Sequence, residues 1–571
     1  MDSVRDYHVK RLGALKVIRR PWDDLWKEIN KYVVSGYYVS EDEGQKQDNA
    51  LKNVLKGLDV VDNKAMQAHR IFRSGMQSGM TSKSRPWYRL TIRDSDLSEQ
   101  ENVKRFLDET TYRMRDVMAR SNIYDGFHTQ HGALGAIGTS VGYLVPDPTY
   151  IVRMRTLIAG SYWIATNHLG LVDTVYHVMR MTAYQIKGMF QQKTDKIPLA
   201  VEQAYDRGDY DREFTVYHAM EPRKDRDSDS KLPKHMPFLS NYWMDENEDD
   251  DLLRESGSTI NRVIGVRWDV VGNDPYGYSL GLYALPEVKQ LQHMQTNKLA
   301  LIEKAHNPSL VAPSSAKNVE KSLLPGAVTY SDSLHQSEIK PLVNVTSYNL
   351  TPLLQDIEVV KNSIQDTFYV PLFMAISNMQ GVQPRNEFEL AQRQEERLLQ
   401  LGPALDRLQD EALRPIIDIV FHYMREAYLL PEIPKEMQED DSDDIDVEYT
   451  SIMAQAQKAI GVHAIERTLS FAGSVSAVDS SVMDNIDTDD AVQTFAKNVG
   501  APNSLVVPRD EVLKIRQQRQ QAEAAQQQLE QAQQVADTVN VGAQAANTLA
   551  DVDNSGQDVI NRMLNNGIGV V

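Results

Sequence analysis

The sequence predicts an α+β protein that is mainly α-helical. Apolar residues recur at helical spacing over long stretches, whereas residues 151–220 carry short runs that alternate between apolar and polar side chains. In the middle of the chain, two helical patterns flank a segment rich in proline and serine. Long helices combined with a separate region of strands indicate the α+β class.

The composition excludes several classes of protein. The 571 residues include 80 acidic and 61 basic side chains, for a formal net charge of −19, whereas general nucleic-acid-binding proteins are normally basic. The chain has no cysteine, which excludes disulfides, thiolate metal sites and a cysteine nucleophile. The chain has neither a basic, apolar leader nor a run of about 18 apolar residues, so we expect no secretory signal and no transmembrane helix.

The N-terminal region is predicted to begin with two helices and a strand. Helical spacing of apolar residues predicts a helix over residues 8–35, which Pro21 is expected to interrupt. A second helix is expected over residues 61–80, and it contains the small-residue stretch 75–79. The alternating pattern of residues 85–93 then predicts a strand.

A cluster of glycines follows a charged, amphipathic helix pattern at residues 97–127. The glycines are Gly132, Gly135, Gly138 and Gly142. Their spacing of three, three and four differs from the dinucleotide-binding fingerprint GxGxxG, so we expect close packing and not phosphate binding. His128 and His131 lie in the same stretch, and a lone pair of histidines is more often a packing feature than a metal site.

The middle of the chain predicts two helices that carry an insertion. The first helix is predicted at residues 286–306, with Pro286 in its first turn, and the second at residues 352–368. Residues 309–349 between them contain prolines and short β-like pieces. Similar lengths and opposite directions favour an antiparallel pair with a small module at its far end.

A loop and a long helical region follow this pair. Residues 374–386 are predicted to form a loop, and a loop between two long helices is more often functional than idle. Residues 387–430 carry a helical apolar stripe, which Pro403 and Pro415 are expected to bend or divide.

The C-terminal region is rich in glutamine and alanine. A helix is expected from Pro508, with a thin apolar seam at seven-residue intervals that would need neighbouring helices for stability. A partly disordered low-complexity tail is the alternative interpretation.

Sequence motifs for catalysis are absent. The chain contains no P-loop, no HExxH and no GxSxG nucleophile elbow. A segment that begins like a calcium loop at Asp551 has Arg562 where the bidentate glutamate is required. The acidic runs 245–251 and 439–446 are typical of solvated loops, so no pattern argues positively for an enzyme.

Several motifs, in the same order along the chain, resemble the portal, or head-to-tail connector, proteins of short-tailed bacteriophages. The resemblance covers roughly residues 10–535. Its motifs are Trp22–Tyr32, Gly75–Leu90, Arg267 and Trp268, Ala284–Pro286, Leu401–Pro403, Glu411 and Pro415. Each motif alone is weak, and their shared order carries the resemblance.

The resemblance implies a portal fold that assembles as a ring of twelve subunits. Residues 1–285 would form the wing, 286–308 the first stem helix, 309–349 the clip, 350–373 the second stem helix and 374–386 the tunnel loop. Residues 387–450 would form the long helix and the connection from wing to crown, 451–507 the crown, 508–550 a helical barrel and 551–571 a flexible tail.

The resemblance also implies a function that needs no catalytic residue, cofactor or metal. The ring would occupy one capsid vertex of the virion, at the head–tail junction, after assembly in the host cytoplasm and without membrane contact. It would conduct double-stranded DNA during packaging and ejection. Expected partners are the terminase, then the tail adaptor protein, together with capsid, scaffolding and internal core proteins. The alternatives are a different virion structural protein, such as a scaffold or core protein, and a metal-dependent enzyme.

Candidate contact residues follow from the same resemblance. The tunnel-loop residues expected nearest to DNA are Asn378, Gln380, Gln383 and Arg385. The stem candidates for phosphate contact are Lys298, Lys304 and Lys361. The clip candidates for partner binding are Lys317, Lys321, His335 and Lys340. The alternative for each stem lysine is an ordinary solvated or subunit-interface charge.

Overall fold

A computed structural model describes most of the chain. It covers residues 3–39, 60–93, 100–192, 194–227, 229–230, 232–245, 252–306, 310–311, 340–341, 347–378, 400–438, 445–451, 453–454, 465, 468–476, 485–499, 507, 512–524 and 526. The chain divides into two compact units, Met1–Ile460 and Gly461–Val571. The predicted mixture of helices and strands is confirmed.

The first unit begins with a long helix, α1 (Val4–Tyr32), which is capped by Ser3. The expected interruption at Pro21 is wrong, because the helix continues through this residue. Trp22 and Trp26 follow directly and are both buried, and their packing offsets the backbone hydrogen bond that proline removes.

Three further helices lie in the described residues between α1 and Thr139. They are α2 (Lys64–Gly79), α3 (Glu101–Arg120) and α4 (Ile123–Ile137). The single helical pattern of residues 97–127 is thus divided between α3 and α4. The helix α4 ends at Gly138, whose φ of 83° is the left-handed conformation that glycine adopts readily.

The described strands of this unit form two two-stranded sheets, a three-stranded sheet and a five-stranded sheet, all antiparallel. The first nine strands in chain order are β1 (Tyr88–Ile92), β2 (Thr139–Asp147), β3 (Ile151–Leu157), β4 (Tyr162–Thr166), β5 (Val172–Thr182), β6 (Glu213–Pro222), β7 (Phe238–Met244), β8 (Arg254–Ser258) and β9 (Val263–Arg267). The three-stranded sheet has the order β3–β2–β9, and the five-stranded sheet runs from β4 to β8 in sequence. Two short helices, α5 (Ala183–Met189) and α6 (Leu199–Asp206), lie between β5 and β6 in the chain.

Both predicted helices are present with shifted bounds, whereas most of the predicted insertion, residues 312–339, lies outside the described residues. The described elements are α7 (Leu280–His306), β10 (Leu310–Val311), β11 (Lys340–Pro341), α8 (Ser347–Thr367) and α9 (Val370–Asn378). The first helix therefore begins before Pro286, because Ser279 Oγ accepts a hydrogen bond from the N–H of Leu282 (2.9 Å), as a capping residue does. Residues 374–378, predicted as the start of the loop, are helical.

The long helical region after the predicted loop is described from residue 400. It runs through a π-helical turn, Gln409–Leu413, directly into α10 (Arg414–Glu426). A division at Pro403 or Pro415 is wrong, because the helix runs through both residues, with the π turn directly before Arg414 and Pro415, whereas the bend stays a prediction. A short α11 (Lys435–Gln438) and the strand β12 (Ile445–Tyr449) follow, and β12 pairs with β1.

One continuous core joins most elements of the first unit. Its largest fully buried side chains include Trp26, Trp87 and Phe72. The second unit contains α12 (Thr488–Val499) and a helical segment at residues 512–524. Within this unit, Arg516 forms two hydrogen bonds of 2.6 and 2.7 Å with the carboxylate of Asp489.

Candidate functional site

Helices α7 and α8 form the predicted antiparallel pair. At one end of the pair, Ser363 Oγ of α8 donates a hydrogen bond to the carboxylate of Glu287 in α7. At the other end, Leu310 pairs with Pro341 in the two-stranded sheet of β10 and β11. The two contacts show that the helices run side by side in opposite directions, and that the insertion leaves the pair at its far end.

A polar network around Asp62 attaches this helix pair to the start of α2. Gln292 Oε1 of α7 accepts hydrogen bonds from the backbone N–H groups of Val61 (2.8 Å) and Asp62 (2.9 Å). Gln295 Nε2, also in α7, donates to Asp62 Oδ2 at 2.7 Å. Lys361 Nζ of α8 lies 3.5 Å from the same oxygen. Both helices of the pair are therefore held at one carboxylate.

Helix α9, which leads into the predicted loop, is anchored on α2. The ring of Phe373 is buried and lies edge-on to Phe72, with ring centroids 5.8 Å apart. It also lies directly over Gly75, where a methyl group would overlap the ring. The turn before α9 contains Tyr369 with a φ of 53°, a conformation rare for residues other than glycine. The predicted loop therefore begins at a helix that is tightly packed on α2 and that follows a strained turn.

The helical region after the loop is anchored by a buried ion pair. The guanidinium of Arg267, at the end of β9, binds both carboxylate oxygens of Glu411 in the π turn. The backbone N–H of Arg267 also donates to Glu411 Oε2 at 2.9 Å. Only 5% of the arginine side chain and 7% of the glutamate side chain are exposed. A bidentate, charge-assisted pair of this kind is strong and directional.

A second contact strengthens this anchor. Arg407 Nη1 donates a hydrogen bond to the backbone carbonyl of Trp268 at 3.2 Å. The segment that leads into α7 is therefore held by the helix that follows the loop. Both ends of the predicted loop are attached to the same core as the base of the helix pair.

The glycine cluster serves packing, as predicted. A methyl group at Gly132 would overlap Tyr37 and Arg73, and one at Gly135 would overlap Phe72. At Gly138 it would overlap the backbone carbonyl of Gly277, in the segment that leads to α7. Close approach of these backbones explains the glycines without a phosphate.

Among the described residues of the first unit, five histidine side chains are buried. Burial lowers the pKa of His8 and His69 to about 4 and that of His131 and His177 to about 3. Burial also lowers the pKa of His218 well below its usual value. His131 is buried and its Nε2 lies 3.0 Å from Thr81 Oγ1. Among the described residues, no group of three or more histidine, aspartate or glutamate side chains could hold a metal ion.

The structure describes only some of the predicted contact residues. Lys298 is half-buried on α7, Lys304 lies near the end of the same helix, and Asn378 is the last residue of α9. Lys340 lies on β11 opposite Val311. Gln380, Gln383, Arg385, Lys317, Lys321 and His335 lie outside the described residues.

Lys361 has partners within the subunit. Its ammonium lies near Asp62 and 3.6 Å from Glu358, and 23% of its side chain is exposed. These ion pairs within the subunit are a structural role that neither interpretation of Lys361 included. Its contact with phosphate stays a prediction, as do those of Lys298 and Lys304.

The anchoring residues were not predicted as site residues. Arg267 and Glu411 belong to the motifs of the family resemblance, which assign them no contact. No sequence pattern singles out Asp62 or Phe373. The small-residue stretch that contains Gly75 was the available signal for close packing on α2. Its partner could not be read from the sequence, because Phe373 lies far away in the chain.

Comparisons with known proteins identify the family. The family model for bacteriophage head to tail connecting proteins matches residues 6–507. This chain belongs to that family. The predicted resemblance to portal, or head-to-tail connector, proteins is therefore confirmed.

Two curated relatives of this head-to-tail connecting protein are named as portal proteins. The "Probable portal protein" of Bordetella phage BPP-1 is 37% identical over 565 residues, which cover 98% of each chain. The "Portal protein" of Salmonella phage epsilon15 is 34% identical over 530 residues, covering 92% of this chain and 93% of the relative. A chain from the virion of a native gene transfer agent particle has a TM-score of 0.34 at 11% identity, covering 77% of this chain and 90% of that chain.

Among the described residues, no helix is both long and apolar enough to cross a membrane.

Proposed function

We propose that this chain forms the portal ring at one capsid vertex of a phage, through which double-stranded DNA passes during packaging and ejection. The match to the head-to-tail connecting family over residues 6–507 is the observation that carries this proposal. The virion, at the junction of head and tail, is the corresponding location. The family description names a connecting role and no catalytic activity.

The helix pair α7 and α8 is proposed as the stem of each subunit. The pair is antiparallel and carries an insertion at one end, as a stem with a clip requires. Its other end is fixed to the core through Asp62. In this proposal the regions before and after the pair form the wing and the crown, with the bounds expected from the sequence.

The loop after α9 is proposed as the part of the subunit nearest to DNA. Its two ends leave from fixed points, the packing of Phe373 on α2 and the ion pair of Arg267 with Glu411. Fixed ends allow a loop to reach toward DNA without disturbing the subunit. The proposed contact residues are mostly uncharged: Asn378, Gln380, Gln383 and Arg385.

The charge of the chain fits passage of DNA better than retention. Twelve copies at −19 each would give a ring a formal charge of −228 (12 × −19). Duplex DNA carries one negative charge per about 1.7 Å, so a mostly acidic wall repels it and keeps it moving. A few cations, for which Lys298, Lys304 and Lys361 are proposed, would limit slippage by contacting phosphates.

The insertion between β10 and β11 is proposed to bind the packaging terminase first and the tail adaptor later. Its candidate contact residues are Lys317, Lys321, His335 and Lys340. Capsid and scaffolding proteins are proposed to meet the wing, and internal core proteins the opposite end of the ring.

Negative-stain imaging of the purified full-length protein tests the ring. Particles with a central hole are expected, because identical head-to-tail contacts close into a ring, and about twelve subunits are expected from the family resemblance. Monomers or open filaments would contradict the proposal and favour a scaffold or core protein.

Deletion of residues 376–384 tests the loop. Rings are expected to form normally, while packaging or retention of DNA is impaired. A variant in which a glycine–serine linker of equal length replaces these residues separates the effect of loop length from that of composition. Normal packaging and retention by the deletion variant would show that the loop has no such role.

A further inference from the structure

The first half of α1 is attached to the five-stranded sheet by few side chains. Residues 4–18 bury only His8, Leu12 and Leu15. The two leucines belong to a small apolar cluster that is separate from the main core and that otherwise consists of Trp163, Tyr176, Ala219, Leu239 and Trp243. A segment with so few buried contacts opens locally at a lower free-energy cost than an element of the main core.

The second half of α1 is held by contacts that do not change with pH. Arg19 Nη1 donates hydrogen bonds to the backbone carbonyls of Gly160 (2.9 Å) and Tyr162 (2.7 Å). Arginine keeps its charge throughout the pH range of folded proteins. Trp22 and Trp26 follow within the main core. An opening that begins at the first residues of α1 therefore stops near Arg19.

A buried chain of hydrogen bonds links His8 to three strands of the sheet. The amide Nδ2 of Asn241 on β7 lies 3.0 Å from His8 Nε2 and can only donate, so this ring nitrogen accepts. Neutral His8 then carries its proton on Nδ1, which donates to Tyr176 Oη on β5 at 2.9 Å. Tyr176 in turn donates to Glu221 Oε1 on β6 at 2.9 Å. The His8 network, formed by these four side chains, thus fits neutral His8.

Protonation of His8 conflicts with this arrangement. It places an N–H on Nε2 opposite the amide N–H groups of Asn241, so that one buried donor faces another. It also places a positive charge on a fully buried ring. Burial, and to a lesser extent the charge of Arg223, accordingly lower the pKa of His8 to about 4.

Further charged and titratable groups surround the His8 network. They are Tyr7 and Arg11 on α1, Asp173 on β5, His218 on β6, and Arg223 and Lys224 directly after β6. Within the network, Glu221 Oε1 lies 3.8 Å from His8 Nδ1, and burial raises the pKa of this carboxyl. A raised pKa favours the attached helix as the pH falls, so the titration of Glu221 opposes that of His8.

We propose that the His8 network is a pH-sensitive contact, and that protonation of His8 releases residues 4–18 of α1 from the five-stranded sheet while the rest of the subunit stays folded. The release uncovers Leu239 and Trp243 of the sheet. The proposal concerns one subunit and does not depend on the ring.

The direction and size of the effect follow from the titration of His8. In the released segment the ring lies in water, where its pKa returns to about 6.5. The attachment is therefore complete above pH 6.5 and weakens as the pH falls toward 4. Titration of His8 alone raises the equilibrium constant for opening about 30-fold between pH 8 and pH 5.

Hydrogen–deuterium exchange of the full-length protein tests this release. A detached helix of this length is marginal in water, so its amides exchange. After correction for the chemical exchange rate, residues 4–18 are expected to lose protection by about tenfold or more between pH 8 and pH 5, whereas residues 22–32 keep theirs. Equal loss over all of α1 would indicate global unfolding, and constant protection of residues 4–18 would show that the amide of Asn241 rotates to accept from the protonated ring. Either result would overturn the proposal.

Substitution of His8 identifies the group that titrates. His8→Gln removes the titration, and residues 4–18 are then expected to have the same protection at both pH values. His69→Gln is the matched control, because His69 is also buried with its pKa lowered to about 4, but lies on α2. This control is expected to leave the pH response of α1 unchanged. A pH response of His8→Gln equal to that of the natural chain would overturn the proposal.

Two further variants test the network without removing His8. In Asn241→Asp, a carboxylate can accept from Nε2–H of protonated His8, so the release in acid is expected to be suppressed. Glu221→Gln keeps an acceptor for Tyr176 and removes the opposing titration, so the release is expected at a higher pH. An unchanged pH response in both variants would show that the His8 network does not control the attachment of α1.

Discussion

Arg267 binds both carboxylate oxygens of Glu411 in the core of the first unit. We predict that Arg267→Ala destabilises the first unit strongly, since it leaves a buried carboxylate unpaired. The loss of such a partner costs about 3–5 kcal/mol. The midpoint of urea denaturation of the unassembled subunit measures this effect.

The exposed pair of Arg113 and Glu109 provides the control for this substitution. About half of each side chain is exposed, so Arg113→Ala is expected to cost less than about 1 kcal/mol. The double variant Arg267→Ala with Glu411→Gln should recover part of the lost stability, because the unpaired charge is removed. Equal effects of Arg267→Ala and Arg113→Ala would contradict the anchoring role of the buried pair.

Helix α9 keeps its place because Gly75 leaves room for the ring of Phe373. We predict that Gly75→Ala pushes α9 away from α2, and that the melting temperature of the subunit falls. Overpacking of a well-filled core costs about 1–3 kcal/mol. Gly188→Ala is the matched control, because a methyl group there meets nothing within 4 Å. An unchanged melting temperature of Gly75→Ala would show that α9 is not held at this contact.

The types of most elements could be predicted from the sequence, but several of their bounds could not. The proline at position 286 marks a helix start by local chemistry, yet α7 begins earlier, where Ser279 caps it. Pro21 and Pro415 also lie within continuous helices. In each case a tertiary contact or a local turn geometry outweighs the tendency of proline to begin or interrupt a helix. Such contacts and geometries cannot be predicted from residue spacing alone.

The anchors of the loop were beyond sequence analysis for a related reason. Glu411 meets Arg267, and Phe373 meets Gly75, only after the chain has folded back over long distances. A loop can be recognised from its composition, whereas the two points that hold it are tertiary contacts. The predicted DNA-contact residues stay predictions for the same reason, because their position in a ring is not a property of one subunit.

Neutral histidines in the core make the stability of the whole subunit depend on pH. The pKa values of His8 and His69 are lowered to about 4, and those of His131 and His177 to about 3. In the unfolded chain these groups titrate near 6.5. Below that pH the unfolded chain binds protons that the folded subunit does not, so stability is full above pH 6.5 and falls as the pH decreases toward 4.

We therefore predict that the melting temperature is nearly constant from pH 8 to 7 and falls steadily between about pH 6.5 and 4.5. Differential scanning fluorimetry across this range measures the change. His168→Gln serves as the control and should leave the profile unchanged, because His168 is exposed. A flat profile down to pH 5 would show that the buried histidines do not set the acid limit of the subunit.

The two anchors of the loop also have a consequence for evolution and design. Because contacts of Phe373 and Glu411 hold the flanking helices, we expect the predicted loop to tolerate changes of length and composition without a change of fold. Related portals are therefore expected to diverge here sooner than in the anchors. In the proposed ring, the width of the aperture would then change through the loop alone while the rest of the subunit is retained.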